Sequence, residues 1–278
     1  MTVEAPMIRY RKEFVAAFEQ DVSLLKLATT KEAMADGLTA TFLVSGSGGD
    51  TAVTRGTNGQ IPYGNPTNSQ VTATLIEKHA PYELTGFNIF ASQGDQMRIM
   101  QMASMNVINR DIDLTILGEL ANATQDYGTG TASVATVAGA KAILGNNQVR
   151  TWEADNMFGV VSPAFMAYLM QTTEFASADY VDVKPFSGPA RRMLRWFGIN
   201  WIENPLVTGV GTNAEICYIF HKASIGYAVR LQEEKISIGY DDKQDTSWSR
   251  ATTYHAAKLL QNSGVVKITH DGSAFVAS

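Results

Sequence analysis

Apolar residues recur every three to four positions over residues 10–26, where Tyr10, Phe14, Phe18, Val22 and Leu25 share one stripe. Arg11, Lys12, Glu19 and Gln20 take the opposite face, so the spacing predicts an amphipathic helix. A helix lying on a membrane surface would share this pattern, with Arg9, Arg11 and Lys12 at one end, but its acidic residues favour docking on protein. A second short helical piece is expected over 30–36, capped by Thr29 or Thr30. The period then changes to two. Residues 39–44 (TATFLV) and 71–76 (VTATLI) read as strands. Between them, residues 46–69 hold six glycines, two prolines and only two charges, Asp50 and Arg55. A structureless loop of this length sits badly inside a compact domain. The flanking strands instead predict a projecting hairpin with Asn58-Gly59 turning its tip; a disordered insertion is the alternative.

A strand over 82–90 then feeds the longest helix, opened by Ser92-Gln93-Gly94-Asp95 as a capping box and running to about Ala123. At 1.5 Å per residue it would be about 40 Å long. Met102, Met105, Ile108, Ile112, Ile116 and Leu120 form one apolar stripe; Ile99, Ala103, Val107, Leu114, Leu117 and Ala121 form another. Asp95, Arg98, Asn106, Asn109 and Asp113 make the polar wedge left over. A helix apolar over most of its circumference is a spine for other elements. Its methionines (97, 100, 102 and 105) suit either adaptable packing or ordinary core filling. After a glycine-bearing linker at 125–133 the pattern becomes mixed. A helix is expected over 137–144, a strand over 158–161, and a helix over 164–171 opened by Ser162-Pro163. Strands are expected over 195–203, 215–229 and 235–240, a long one over 248–260, and a last one over 265–268. No internal repeat is visible.

Composition sharpens this picture in three ways. Charged residues are 18% of the 278, against about 25% in ordinary soluble proteins, while apolar residues are 45%. Surface that ends between subunits loses charges because they are costly to desolvate, although a large core has the same effect. The net charge of −5 argues against a dedicated nucleic-acid reader. Cys217 is the single cysteine, which excludes an intrachain disulfide and a cysteine-rich zinc site; its run ICYIF predicts burial. No run approaches the roughly 18 apolar residues that span a bilayer, and MTVEAPMIRYRKEF has no signal-like core, so folding in a cytoplasm is expected.

Catalytic patterns are sought in vain. His79, His221, His255 and His270 have no metal-ligand spacing, and His221 is read as a strand-end histidine bonded to backbone. The clusters GSGG (46–49) and GVG (209–211) lack the lysine, spacing and context of a phosphate-binding loop. No serine has the nucleophile-elbow setting. The carboxylate pairs Asp111/Asp113, Glu233/Glu234 and Asp241/Asp242 fit solvated faces as well as sites. No enzyme activity, cofactor or metal is expected.

The order of elements resembles the major capsid proteins of tailed phages, of the Hong Kong 97-type α+β fold. Three stretches carry the likeness: MFGVVSPAFMAYL (157–169), YIFHKASIGYAV (218–229) and SWSRATTYHAAKLLQNSGVVKITHD (247–271). The resemblance implies an N-terminal arm at 1–37, an extended E-loop hairpin at 38–77, a peripheral domain with the spine helix at 78–130, an α/β axial domain at 131–232 and closing strands at 233–278. It implies a non-enzymatic shell subunit that meets copies of itself in pentamers and hexamers and encloses double-stranded DNA, touching it non-specifically. Phe14 and Phe18 of the arm and Arg55, Asn58, Gly59 and Tyr63 of the hairpin are the candidate inter-subunit contacts. Scaffolding, portal and decoration proteins are further partners on this reading, with assembly in the host cytoplasm and no membrane.

Two departures from the family matter. The hairpin segment 46–69 has no lysine, so the covalent weld made by some members is not expected. The arm begins about ten residues in, which leaves no room for a fused scaffolding segment and predicts a separate scaffold or none. An encapsulin-type compartment shares the fold and is the nearest rival; a tail or adhesion protein and an unrecognised enzyme are more remote.

Overall fold

The structure, a computed structural model, describes residues 20, 22–31, 34–91, 96–176, 193–230 and 235–275. The chain divides into two compact units: Met1–Ser23, Ile76–Asp113 and Val229–His255 form the first, and Leu24–Leu75, Leu114–Ala228 and Ala256–Ser278 the second. In chain order the elements begin with the strands β1 (Met34–Asp36), β2 (Thr39–Gly46), β3 (Thr67–Thr74) and β4 (Ile76–Thr85). The helices α1 (Gly86–Ala91) and α2 (Gln96–Ala121) follow, then β5 (Asp126–Thr129), α3 (Val134–Asn146), β6 (Met157–Val161), α4 (Pro163–Met170) and α5 (Thr173–Ala176). The remaining strands are β7 (Met193–Trp196), β8 (Ile199–Glu203), β9 (Glu215–His221), β10 (Ile225–Val229), β11 (Lys235–Asp241), β12 (Thr246–Leu259) and β13 (Val265–His270).

The second unit is built on a six-stranded mixed sheet in the order β5-β13-β9-β6-β8-β7. Its central strand β6, MFGVV, is buried at every position, as expected for a strand covered on both faces. Ser162 caps α4, its hydroxyl accepting the Phe165 N–H, and Pro163 fills the first helical position. Helices α3 and α4 then bring Val137, Leu144, Phe165 and Leu169 onto Trp201, Ile219 and Ile268. The same unit holds the small sheet β1-β2-β3. Phe42, Ala40, Ala73 and Leu75 of this sheet pack against Ala228 and Ala256. Gly226 makes that packing possible: a Cβ there would stand 2.6 Å from the Phe42 ring.

In the first unit β12 lies between β4 and β11, antiparallel to both. Ala80 and Ala251 face each other across that ladder and are buried, as are Met100, Ile108 and Ile112 of α2.

Five sequence expectations are corrected. Residues 20 and 22–26 are not α-helical: Lys26–Ala28 is a short 3-10 turn, and residues 10–19 and 21 of the expected helix, with Phe14 and Phe18, lie outside the described residues. Residues 34–36 are a strand, not part of a helix over 30–36. Gly37 takes φ +60 and turns the chain back, so that Asp36 pairs with Thr39. The strand expected over 82–90 stops at Thr85, whose hydroxyl accepts the Asn88 N–H at 3.4 Å and opens α1. The strands expected over 195–203 and 215–229 are each interrupted, by the tight turn Phe197-Gly198 and by a 3-10 turn at Lys222–Ser224. The capping box at 92–95 lies outside the described residues.

Candidate assembly surfaces

The β2–β3 ladder runs from Thr39↔Thr74 to Gly46↔Thr67 and stops. Every residue from 47 to 66 beyond it is exposed, so no apolar core shapes this finger. Polar braces shape it instead. The Gly56 N–H donates to Gln60 O and the Gly59 N–H to Gly56 O, both at 2.9 Å, closing a turn in which Gly59 takes φ +79. Arg55 Nη1 donates to Gly59 O at 2.8 Å, and Asn58 Oδ1 accepts the Gln60 N–H at 3.3 Å. Arg55, Asn58 and Gly59 are thus brought together at the tip. Tyr63 stands on the returning limb and is 96% exposed, and Val53 and Ile61 are also exposed.

A second exposed surface belongs to the first unit. Ile99, Met102 and Met105 of α2 are exposed although the two-stripe pattern predicts cover, while Ile108 and Ile112 are buried. A groove of about 320 Å³ lies here, lined by Arg98, Gln101, Met102, Met105, Asn106 and Ile236. Ile236, Ile238 and Tyr240 alternate along β11 and are all exposed. Sequence reasoning placed the strand but overlooked this edge. The signal was the run I-S-I-G-Y, apolar at every second position.

The polar wedge of α2 also holds more than was read from it. Asp113 is fully buried; its Oδ1 accepts from Ser23 Oγ and its Oδ2 from Gln20 Nε2, each at 2.5 Å. Asp111 sits 3.2 Å from Lys78 Nζ through Oδ1 and 3.2 Å from His255 Nε2 through Oδ2. The hydrogen bond from His255, helped by Lys78 and opposed by burial, holds the Asp111 carboxyl below its ordinary value. The two carboxylates tie the N-terminal segment, β4 and β12 to one helix.

Elsewhere four buried titratable groups are engaged in the fold. His221 Nδ1 accepts the Ala223 N–H at 3.2 Å, the backbone bond expected for a strand-end histidine. His270 is buried between the Phe165 and Tyr168 rings. Glu215 is buried, accepting from the Ser162 hydroxyl and from the Gly211 N–H at 2.7 Å. Cys217 is buried as expected, and burial pushes its thiol up to about 12. Among the described residues no group of three or more His, Cys, Asp or Glu side chains could hold a metal ion, and no helix is long and apolar enough to cross a membrane.

Solved structures similar to this fold include capsids of phages. A chain from Mycobacterium phage Che8 superposes with a TM-score of 0.71 at 16% identity, over 94% of this chain and 95% of that one. The capsid of Ralstonia phage GP4 gives 0.70 at 10% identity, over 100% and 99%. The capsid structure of cyanophage P-SCSP1u gives 0.68 at 14%, over 94% and 92%. No curated protein matches the chain in sequence. At these identities the likeness establishes a mixed α and β fold shared with phage capsids. The family model described as phage capsid protein matches residues 5–272, nearly the whole length, and the chain therefore belongs to the phage capsid protein family.

Proposed function

We propose that this chain is the shell-forming major subunit of a tailed-phage capsid of the Hong Kong 97-type, and that it closes into pentamers and hexamers around double-stranded DNA. The observation that carries this reading is the finger at 47–66, wholly exposed, apolar at Val53, Ile61 and Tyr63, and braced by its own polar bonds. A braced finger keeps its shape while waiting for a surface, which lowers the ordering cost of docking. Head-to-tail contacts of this kind close into rings when the rotation is right. Permanent interfaces of such assemblies commonly bury more than about 2,000 Å².

In this reading the arm is residues 1–37, the E-loop 38–77, the peripheral domain 78–130 and the axial domain 131–232, with 233–278 closing the structure. Val53, Ile61 and Tyr63 meet a neighbouring subunit, and Phe14 and Phe18 of the arm do the same. Arg55, Asn58 and Gly59 serve that contact by holding the tip. The role is structural, without catalysis or cofactor. Segment 46–69 has no lysine, which favours a non-covalent shell. Scaffolding, portal and decoration proteins are its further partners, and the host cytoplasm is where it assembles.

The test is electron microscopy and size-exclusion chromatography of the purified chain beside a variant in which 47–66 is replaced by a two-residue turn joining Gly46 to Thr67. Full-length chain should form closed particles, and the variant should stay a small folded species. Particles of unchanged yield without the finger would remove the basis of the proposal. Nucleic acid in particles from infected cells, read at 260 nm, supports a genome shell; a co-purifying enzyme points to a protein-filled compartment.

A further inference from the structure

Strand β11 ends its sheet on the side away from β12, so among the described residues its outer edge pairs with nothing. Proteins usually blunt such an edge with proline, a bulge or an inward-pointing charge, because open backbone donors and acceptors recruit another strand. β11, KISIGYD, has no proline and no bulge: its ladder with β12 runs unbroken from Lys235↔Thr252 to Asp241↔Thr246, and its two charges, Lys235 and Asp241, stand only at its ends. One face of the strand carries Ile236, Ile238 and Tyr240, exposed at 44%, 51% and 55%. An apolar, unblunted edge is a docking surface, and the strand's own sequence names the occupant.

We infer that β11 pairs antiparallel with β11 of a second copy about a two-fold axis centred on Ile238. The inference rests on the reading that copies of this chain build a shell. In that register all seven residues pair. Position 235, a lysine, falls opposite position 241, an aspartate, and does so twice by symmetry. Ile238 meets itself, Ile236 meets Tyr240, and Ser237 meets Gly239. A slip of one residue would turn the apolar set of the second strand to the other face, so the pattern selects this alignment. The pairing also joins two three-stranded ladders, β4-β12-β11 and its copy, into one continuous sheet. It sets the second copy's Tyr240 beside Ile236, on the face that opens into the groove between Ile236, Met102 and Met105. Methionine side chains adapt to an incoming ring. The contact is isologous, as a two-fold interface requires.

The test introduces Ile238→Cys. Directly opposed residues of an antiparallel pair have Cα atoms about 4.5 or 5.5 Å apart, within disulfide range. The native Cys217 is buried and stays silent. Mild oxidation of assembled particles should give covalent dimers, and nothing larger, on a non-reducing gel. Particles that form but give no dimer, or give a ladder of larger species, overturn the pairing while leaving the shell reading intact. Failure of the unaltered chain to form particles strikes the shell reading itself. Should Ile238→Cys not assemble, charge exchange replaces it. Asp241→Lys should raise the concentration needed for assembly roughly two- to thirtyfold, for two symmetric pairs turned repulsive, and Lys235→Asp with Asp241→Lys should restore it. A single variant that assembles normally, or a double variant that is no better than the single, sinks the proposal.

Discussion

Trp201 on β8 and Tyr63 on the finger are both large aromatic residues, one wholly buried and the other 96% exposed. Trp201 packs on Phe165 and Trp196 and donates its indole N–H to Trp196 O at 3.1 Å. Tyr63 has no such enclosure. The six-stranded sheet satisfies its apolar residues with its own helices, whereas the finger satisfies only its polar backbone and leaves its apolar side chains open. One chain thus contains a region that folds for itself and a region that, in the proposed function, is shaped for another copy. Substitutions in the first should be felt in stability, and those in the second in assembly.

The largest expected effect on stability is at Trp201. Trp201→Ala should cost about 3–5 kcal/mol in chemical denaturation of the unassembled chain, because it empties a site closed on all sides. Gly226→Val comes next: its added atoms collide with the Phe42 ring and should cost about 1–3 kcal/mol, unless the sheet β1-β2-β3 shifts. A smaller effect is tied to pH. The Asp111 carboxyl is held below its ordinary 3.8, so its contribution is complete above that value and is lost as pH falls through the lower folded value. Urea midpoints of the unaltered chain should hold steady from pH 7 to 5 and drop below about pH 4. Asp111→Asn should lower the plateau and flatten the drop. Tyr63→Ala is the smallest: chain stability should move by less than about 0.5 kcal/mol, since the residue touches little of its own chain. Particle yield in the same variant should fall severalfold. A Tyr63→Ala chain that is destabilised yet assembles normally would reverse the assignment of the two regions.

Much of this contrast was legible in the chain. Ser162-Pro163 marked the start of α4, and the alternation in TATFLV marked β2, because caps and period-two patterns are local physics. Six glycines and two charges over 46–69 announced a segment with no core. Other features depend on distant partners. Residues 34–36 were absorbed into an expected helix because only the pairing with β2 makes them a strand. Asp113 looked like surface; its burial arises from Ser23 and Gln20, some ninety residues away in sequence. Ile99 of one α2 stripe and Met102 and Met105 of the other were correctly read as apolar, but apolarity does not say which molecule provides the cover. The β11 edge went unnoticed for the same reason: a strand's sequence does not show which side lacks a neighbour.

The most direct measurement is thiol labelling of a Tyr63→Cys chain in two states, dissociated subunits and assembled particles. Cys217, buried with its thiol pushed up to about 12, contributes no background while the fold is intact. Fast labelling in free subunits and strong protection in particles is the predicted result. Equal, rapid labelling in both states would contradict it, because the finger would then be as bare in the shell as it is in the single chain.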